Sequence, residues 1–444
     1  MTDTTIVRIG VPKDVRGQDL PYKKIEDTEP TGEIKSRSAT SCVPAPFNFQ
    51  CGTAKYWITP LCKYIDGKLV VIAYELSVSI PGAVCGLNAL LQNNVHAASL
   101  LALYFFQYWL LDCGVPTETV KKFSLKNCEL QELHLTFLAY SESKHKANSR
   151  ILELAQRGLT LFSGDLIKKN KRKPAVDYRN SDWNCYVTIS KSSKFDIAAY
   201  VKSWVIPKSF CGLSNTVAED IFKISKNYVR FEVKLKKPWF KETVTVVDAD
   251  GRTVKKKQPS QWASPLSWKG KAGKAMYEQV FEEARDFLRL NEKLNKRRHR
   301  PDFMKTLSDE YRAILEQHYA GTPFDELPFK SKDKKQRSKV KRAIQKLCGV
   351  DLHIPWEEQK ELVQLAWLVY PGMFKLDAVP EALKDHAFAG LTIEKKLEEM
   401  KEKLRALAKR NDSYGHTSGL NRAPVRYASD MTKAELASDL MGNV

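Results

Sequence analysis

Three short segments carry residues whose type and spacing could do chemistry. In Glu132-Leu133-His134-Leu135-Thr136-Phe137 the polar side chains recur at every second position. An extended chain therefore sets Glu132, His134 and Thr136 on one face and the apolar residues on the other. An imidazole beside carboxylates is a donor set for a divalent ion, and with Glu232 or Glu132 supplying oxygen the mixed set suits Mg2+ or Mn2+. A lone histidine is equally a structural residue, and the chain has no His-x-His pair. In Phe195-Asp196-Ile197-Ala198-Ala199-Tyr200-Val201-Lys202 the same alternation turns Phe195, Ile197, Ala199 and Val201 inward and leaves Asp196, Tyr200 and Lys202 together. Tyr200 is then either an ordinary sheet tyrosine or an oxygen nucleophile whose pKa Lys202 lowers by proximity. The third segment aligns Tyr228, Arg230, Glu232, Lys234 and Lys236, one carboxylate among cations. Arg230, Lys234 and Lys236 read as phosphate contacts, which need little beyond their charge.

The elements that must position these groups are strands. Trp183-Asn184-Cys185-Tyr186-Val187-Thr188-Ile189-Ser190 precedes a polar turn and the Tyr200 segment, so a hairpin is expected there. Tyr56-Trp57-Ile58-Thr59-Pro60, Asp66-Gly67 and the run from Leu69 to Glu75 read as strand, turn and strand, where the sheet begins. Residues 144–157 have helical spacing, and Lys168 to Lys173 form a basic loop.

The order Glu-Leu-His-Leu-Thr-Phe, Ala-Tyr-Val-Lys, Val-Arg-Phe-Glu-Val-Lys-Leu-Lys resembles the gene II replication initiators of filamentous bacteriophages. Upstream, Glu75-Leu76-Ser77-Val78-Ser79 and Val84-Cys85-Gly86-Leu87-Asn88 are similar to elements that precede the first catalytic strand in that family. The resemblance covers residues 50–240. It departs from the family at two positions: His134 and Glu132 stand where an aspartate and an arginine are common. The resemblance implies an endonuclease that nicks one strand of a double-stranded circular phage genome at its origin. Tyr200 would be the nucleophile, left joined to the 5′ end, and the free 3′-hydroxyl would prime rolling-circle synthesis. The reverse reaction would close the displaced single strand into a circle. Implied partners are origin DNA, a host helicase and a host DNA polymerase, in the bacterial cytoplasm, with assembly of several copies on DNA.

Composition agrees with a polyanionic partner. The 444-residue chain is long enough for two or three domains and carries a formal net charge of +20, with a pI near 9.4. Its nine cysteines are scattered without Cys-x-x-Cys spacing, which argues against a disulfide framework or a zinc site. No secretory signal is expected from the N-terminal residues. The apolar run at 97–111 is interrupted by Gln107 and closed by Asp112, and it falls short of the roughly twenty residues a bilayer demands, so a buried core helix and no membrane partner are expected. Gly270-Lys271-Ala272-Gly273-Lys274 lacks the spacing of a phosphate-binding loop, so no ATP-driven unwinding is expected.

Past the third segment, an exposed hairpin is expected around Asp248-Ala249-Asp250-Gly251, then a long helix over 273–298 ending in Lys296-Arg297-Arg298-His299-Arg300. Ser308 caps a helix that Gly321 ends, and a second helix runs from Ser331 to Leu347, in helix-turn-helix spacing. Its Lys332, Lys334, Lys335, Arg337, Lys339, Lys341, Arg342 and Lys346 oppose the single acid Asp333, and Val340, Ile344 and Leu347 anchor it. Six of these cations, Lys334, Lys335, Arg337, Lys339, Lys341 and Arg342, are taken as DNA contacts. Residues 356–370 read as another core helix, and Ile393, Leu397, Met400, Leu404 and Leu407 as a helix packed within its own domain. Met304 is a candidate internal start for a shorter, non-cutting product.

The expected fold is α+β, a largely antiparallel sheet nuclease domain followed by a mainly helical DNA-binding domain. The expected divisions are an arm at 1–45, the nicking domain at 46–240, a hairpin and basic connecting helix at 241–303, the helical domain at 304–410 and a mobile tail at 411–444. The competing reading is a non-enzymatic DNA-binding regulator, which the basic charge suits equally.

Overall fold

Alternating β-branched and aromatic residues build the frame. The computed structural model describes residues 2–16, 18, 20–21, 25–28, 34–38, 43–49, 52–65, 68–85, 94–162, 175–180, 184–190, 194–202, 227–247, 253–288, 290, 301–330, 333–359 and 392–413. Its strands are β1 (Thr2–Gly10), β2 (Ile25–Thr28), β3 (Ile34–Ser38), β4 (Val43–Phe49), β5 (Gly52–Ile65), β6 (Lys68–Ser79), β7 (Cys128–Tyr140), β8 (Ala175–Asn180), β9 (Asn184–Ser190), β10 (Phe195–Lys202), β11 (Tyr228–Leu235), β12 (Lys241–Val247) and β13 (Thr253–Pro259). Among the described residues, nine of them form one antiparallel sheet in the order β4-β5-β6-β1-β7-β11-β10-β9-β8, while β2-β3 and β12-β13 are separate ribbons. The expected β9–β10 hairpin and the expected hairpin after β11 are both present.

The N-terminal segment corrects the expectation of a loosely ordered arm. β1 lies in the middle of the sheet, paired with β6 on one side and β7 on the other. Thr5, Val7 and Ile9 are 0% exposed. Threonine-rich composition reads as linker, yet threonine, valine and isoleucine are the side chains that fit a pleated surface, and here they alternate. The unit that carries the site therefore begins with β1 and not at residue 46.

Helices cover one face of the sheet. The expected core helix is Val95–Asp112, opened by Asn94, whose side chain accepts a hydrogen bond from Ala97 N at 2.9 Å. Its Phe106 ring packs 5.0 Å from Tyr74 and 5.3 Å from Phe123. No helix among the described residues is long and apolar enough to cross a membrane. The Lys144–Phe162 helix covers β8 to β11. The Gly270–Phe287 helix adds Phe281, whose ring centre is 4.4 Å from Phe137 and 5.9 Å from Phe231, and Tyr277, whose hydroxyl donates to Thr136 O at 2.9 Å. This last helix was expected over 273–298 as a connector. It instead ends at Phe287, with Leu288 and Leu290 still buried in the same core, and it is a layer of that core. Gly273 stands where a Cβ would lie 1.9 Å from Trp268 O, so the entry to this helix admits only glycine. The basic run at Lys296 to Arg300 lies outside the described residues, as does the basic loop at Lys168 to Lys173.

A second, smaller core gathers Ile314, Leu315, Leu327, Ile344, Cys348, Val350 and Leu352. Ser308 caps the Asp309–Tyr319 helix as expected, its hydroxyl accepting from Tyr311 N at 3.4 Å. The Lys334–Cys348 helix is capped by Asp333 and stopped by Gly349 at φ 71°. Leu347, expected as an anchor, is 43% exposed, and Cys348 takes the inward position four residues after Ile344. Two partly buried contacts dock this unit on β8. Tyr178 donates its hydroxyl to Asp351, which is 1% exposed, and Lys341 Nζ donates to Asn180 O at 2.6 Å. Covering an edge strand in this way removes a template for unwanted pairing.

The Ile393–Ser413 helix, expected in the same domain as the basic helix, instead packs on Val95–Asp112 with Ile393, Leu397, Met400 and Leu407 buried. Asn411 Nδ2 also donates to Leu111 O at 2.9 Å. A product beginning at Met304 would carry this apolar stripe without its partner. Of the helix expected at 356–370, Trp356–Gln359 is present and the rest lies outside the described residues, as do residues 414–444.

His318 makes the small core acid-sensitive. It is 2% exposed beside Trp356, and burial lowers its pKa to about 4 against the opposing pull of Asp351. The folded value lies below the unfolded value near 6.5, so the unfolded chain binds the proton more tightly. The contribution is intact above pH 6.5, declines as the pH falls toward 4 and is then fully lost, on the order of 3 kcal/mol. Urea melts between pH 7 and 4 are expected to lose this stability, and His318→Phe to flatten the decline.

Candidate active site

Register places the chemistry-bearing side chains on one face. β7, β11, β10 and β9 are consecutive in the sheet, and directly paired residues share a face. Tyr200 pairs with Arg230 and with Tyr186, Ala198 pairs with Glu232 and Thr188, and Asp196 pairs with Lys234. On the other side of β11, Glu232 pairs with Thr136 and Lys234 with His134. The opposite face of the same strands carries Phe137, Phe231 and Val233 into the core beneath the helices.

The two sides of a strand thus separate packing from chemistry. A cleft of about 410 Å³ opens on the polar face, lined by Thr4, His134, Tyr186, Thr188, Tyr200, Glu232 and Lys234. Tyr200 donates its hydroxyl to Glu232 Oε1, and the Lys234 ammonium lies 3.9 Å from Glu232 Oε2. The Arg230 guanidinium sits 5.6 Å from the centre of the Tyr200 ring, within cation–π range. Glu232 is 3% exposed and Arg230 4%, while Tyr200 is partly exposed to the cleft. The result is a phenol held on a buried carboxylate, with a cation on either side.

Four residues singled out from sequence, His134, Tyr200, Glu232 and Lys234, line this one cleft, while Arg230 reaches its tyrosine from the neighbouring strand position. Lys202, expected beside Tyr200, pairs through its backbone with Asn184, and its side chain lies outside the described residues. The cation described at the tyrosine ring is Arg230. Lys236 is drawn into an ion pair with Asp196 at 2.5 Å, which occupies it on the same face.

Glu132 and His134 form a pair of their own, His134 Nε2 donating to Glu132 Oε1 at 2.7 Å. That bond holds the Glu132 carboxyl below the usual carboxylate range against the opposing effect of burial, with Lys234 and Lys236 adding to it. For the expected Mg2+ or Mn2+ the donor set does not fit as arranged. His134 is turned to Glu132, the two oxygens of Glu232 face a phenol and an ammonium, and among the described residues no three His, Cys, Asp or Glu side chains converge on a point.

No family model, curated protein or solved structure matches the chain.

Thr4, Tyr186 and Thr188 line the cleft without having been singled out. Tyr186 and Thr188 were within reach of the sequence, since they alternate with Val187 and Ile189 as Tyr200 does with its neighbours. Thr4 was not, because its strand had the composition of a linker.

On the basic helix, Lys334, Lys335, Lys339 and Arg342 are exposed. Lys335, Lys339 and Arg342 follow i, i+4, i+7 spacing and so share a stripe. Two other expected DNA contacts are engaged within the fold: Lys341 on Asn180, and Arg337, whose guanidinium lies 5.2 Å over the Phe329 ring. Lys332 and the Lys346 side chain lie outside the described residues.

Proposed function

We propose that the chain nicks and rejoins one strand of DNA, with Tyr200 as nucleophile, as the first step of rolling-circle replication. The observation that supports this best is the Tyr200 hydroxyl bonded to the buried carboxylate of Glu232 in an open cleft with Arg230 and Lys234 beside it.

Each group then has a task. The Tyr200 oxygen attacks phosphorus and forms an O–P bond while the bond from phosphorus to the 3′ oxygen breaks. Glu232 takes the phenolic proton as general base. The 3′ oxygen leaves with its electron pair and takes a proton from water or from Lys234. Lys234 and Arg230 offset the charge that builds on the phosphoryl oxygens, an electrostatic stabilisation that is strongest in a site partly closed to water. Because the phosphotyrosine bond conserves the energy of the phosphodiester, the 3′-hydroxyl of the displaced strand can later reverse the reaction and close a circle. No step in this scheme passes through a metal ion.

The exposed stripe Lys335, Lys339 and Arg342 would hold duplex DNA by its phosphates. Replacing all three by alanine is expected to lower the slope of log affinity against log salt by about 0.9 per lost contact, roughly 2.7 in total. Arg337→Ala is expected to leave the slope unchanged and to lower stability through its lost ring contact. A slope unmoved by the triple replacement would remove this helix from the interface.

Incubating supercoiled DNA that carries the gene and its flanking sequence with the protein separates this reading from a regulator that only binds. Open circles with protein still attached after denaturation support nicking. Retarded but uncut DNA supports the regulator.

A further inference from the structure

We propose that the β12–β13 ribbon is a second duplex-DNA contact, seated by one face in a groove and gripping phosphates on either side. The idea rests on the reading of the chain as a protein that acts on DNA, and it gives a role to an element the cutting chemistry does not use.

Register sorts the ribbon into two unlike faces. Lys241 is opposite Pro259, Thr243 opposite Lys257, Thr245 opposite Lys255, and Val247 opposite Thr253. One face therefore presents Lys241, Thr243, Thr245, Thr253, Lys255 and Lys257, all exposed. It carries no acid. The other face holds the half-buried Val244 and Val254 together with Lys256 and Glu242, and that carboxylate accepts a hydrogen bond from Gln258 at 3.1 Å. Among the described residues, Lys241, Lys255 and Lys257 have no carboxylate within ion-pair distance. Exposed strands usually mix signs, because like charges close together on one face repel. A face whose polar side chains are all hydroxyls and ammoniums is matched to an anionic surface, since both groups donate hydrogen bonds to phosphate oxygens.

Shape agrees with charge. A two-stranded ribbon is a form the major groove admits, and strands of seven residues extend roughly 23 Å, about the rise of seven base pairs. Such a ribbon alone would be marginal in water, yet its base is fixed. Phe240 is 2% exposed and Trp268 3%, Ser260 N donates to Phe240 O at 2.8 Å, and Trp268 Nε1 donates to Trp262 O at 2.9 Å. The ribbon thus projects from a rigid aromatic block that directly follows β11, the strand that carries Glu232 and Lys234.

The test uses the full chain with Lys241, Lys255 and Lys257 replaced by glutamine, which keeps length and solubility at exposed positions. Binding to a fluorescent random-sequence duplex is followed by anisotropy across a range of KCl concentrations. The triple variant is expected to lose about 0.9 from the log-log slope per lysine, about 2.7 in all, while Lys256→Gln on the opposite face leaves the slope unchanged. A slope equal to wild type overturns the proposal. So does a loss seen with oligo-dT and not with duplex, or a loss seen only with vesicles containing phosphatidylglycerol. Covalent adduct formation is scored separately on denaturing gels. An unchanged slope with adduct formed sinks the ribbon and leaves the nickase reading standing. A lowered slope with no adduct from any chain does the reverse.

Discussion

Tyr200→Phe is expected to abolish nicking and covalent attachment, a loss of roughly 10⁴-fold or more, while duplex binding stays within about twofold. Only one oxygen is removed. The ring keeps its place opposite Arg230 and Tyr186 in the sheet, and Glu232 keeps Lys234 as a partner. The cations proposed to grip phosphate are untouched, so a binding defect would point to misfolding and not to chemistry. A relaxed-circle assay on supercoiled DNA reads the first expectation and anisotropy the second. If the variant still nicks, the nucleophile is another residue.

The second large effect concerns Glu232, and two substitutions divide its roles. Glu232→Ala leaves the Tyr200 hydroxyl without its acceptor and the partly exposed Lys234 without its carboxylate, and losing a buried hydrogen-bond partner costs about 1–3 kcal/mol. The outcome expected is a lowered Tm together with lost cleavage. Glu232→Gln keeps the shape and an oxygen to accept from Tyr200, but cannot take up the phenolic proton. It should retain most of the stability and slow cleavage by roughly 10²–10⁴-fold, the usual worth of a general base. A glutamine variant that cuts at the wild-type rate would reduce Glu232 to a structural partner of the tyrosine.

These expectations depend on a pairing that the sequence exposed only in part. Period-two alternation was enough to place His134, Tyr200 and Glu232 on polar strand faces, because one face of each strand had to be apolar to pack on the helices. It did not reveal that the Tyr200 hydroxyl meets Glu232. That contact depends on which strands become neighbours and in what register, a tertiary choice between segments far apart in sequence, and it sets Glu232, expected as a metal ligand, against the Tyr200 hydroxyl. The same limit hid Arg230 at the ring; the side chain of Lys202, the local candidate, lies outside the described residues. Thr2–Gly10 has the composition of a linker but the alternation of a strand, and the alternation decides because it buries Thr5, Val7 and Ile9. The stripe of the Ile393–Ser413 helix states that it is buried, and not against what; its partner is the Val95–Asp112 helix. On the basic helix, charge alone could not separate Lys341, spent on Asn180, from Lys339 and Arg342, which face solvent.

On the proposed chemistry the Tyr200 oxygen becomes bonded to a DNA phosphate. Protein incubated with cleavable DNA, then denatured, digested with nuclease and trypsin and analysed by peptide mass spectrometry, measures this directly. The expected result is a single nucleotide-bearing peptide with the modification on Tyr200, absent from Tyr200→Phe. An adduct on any other residue, or cut DNA with no protein attached, would contradict the account.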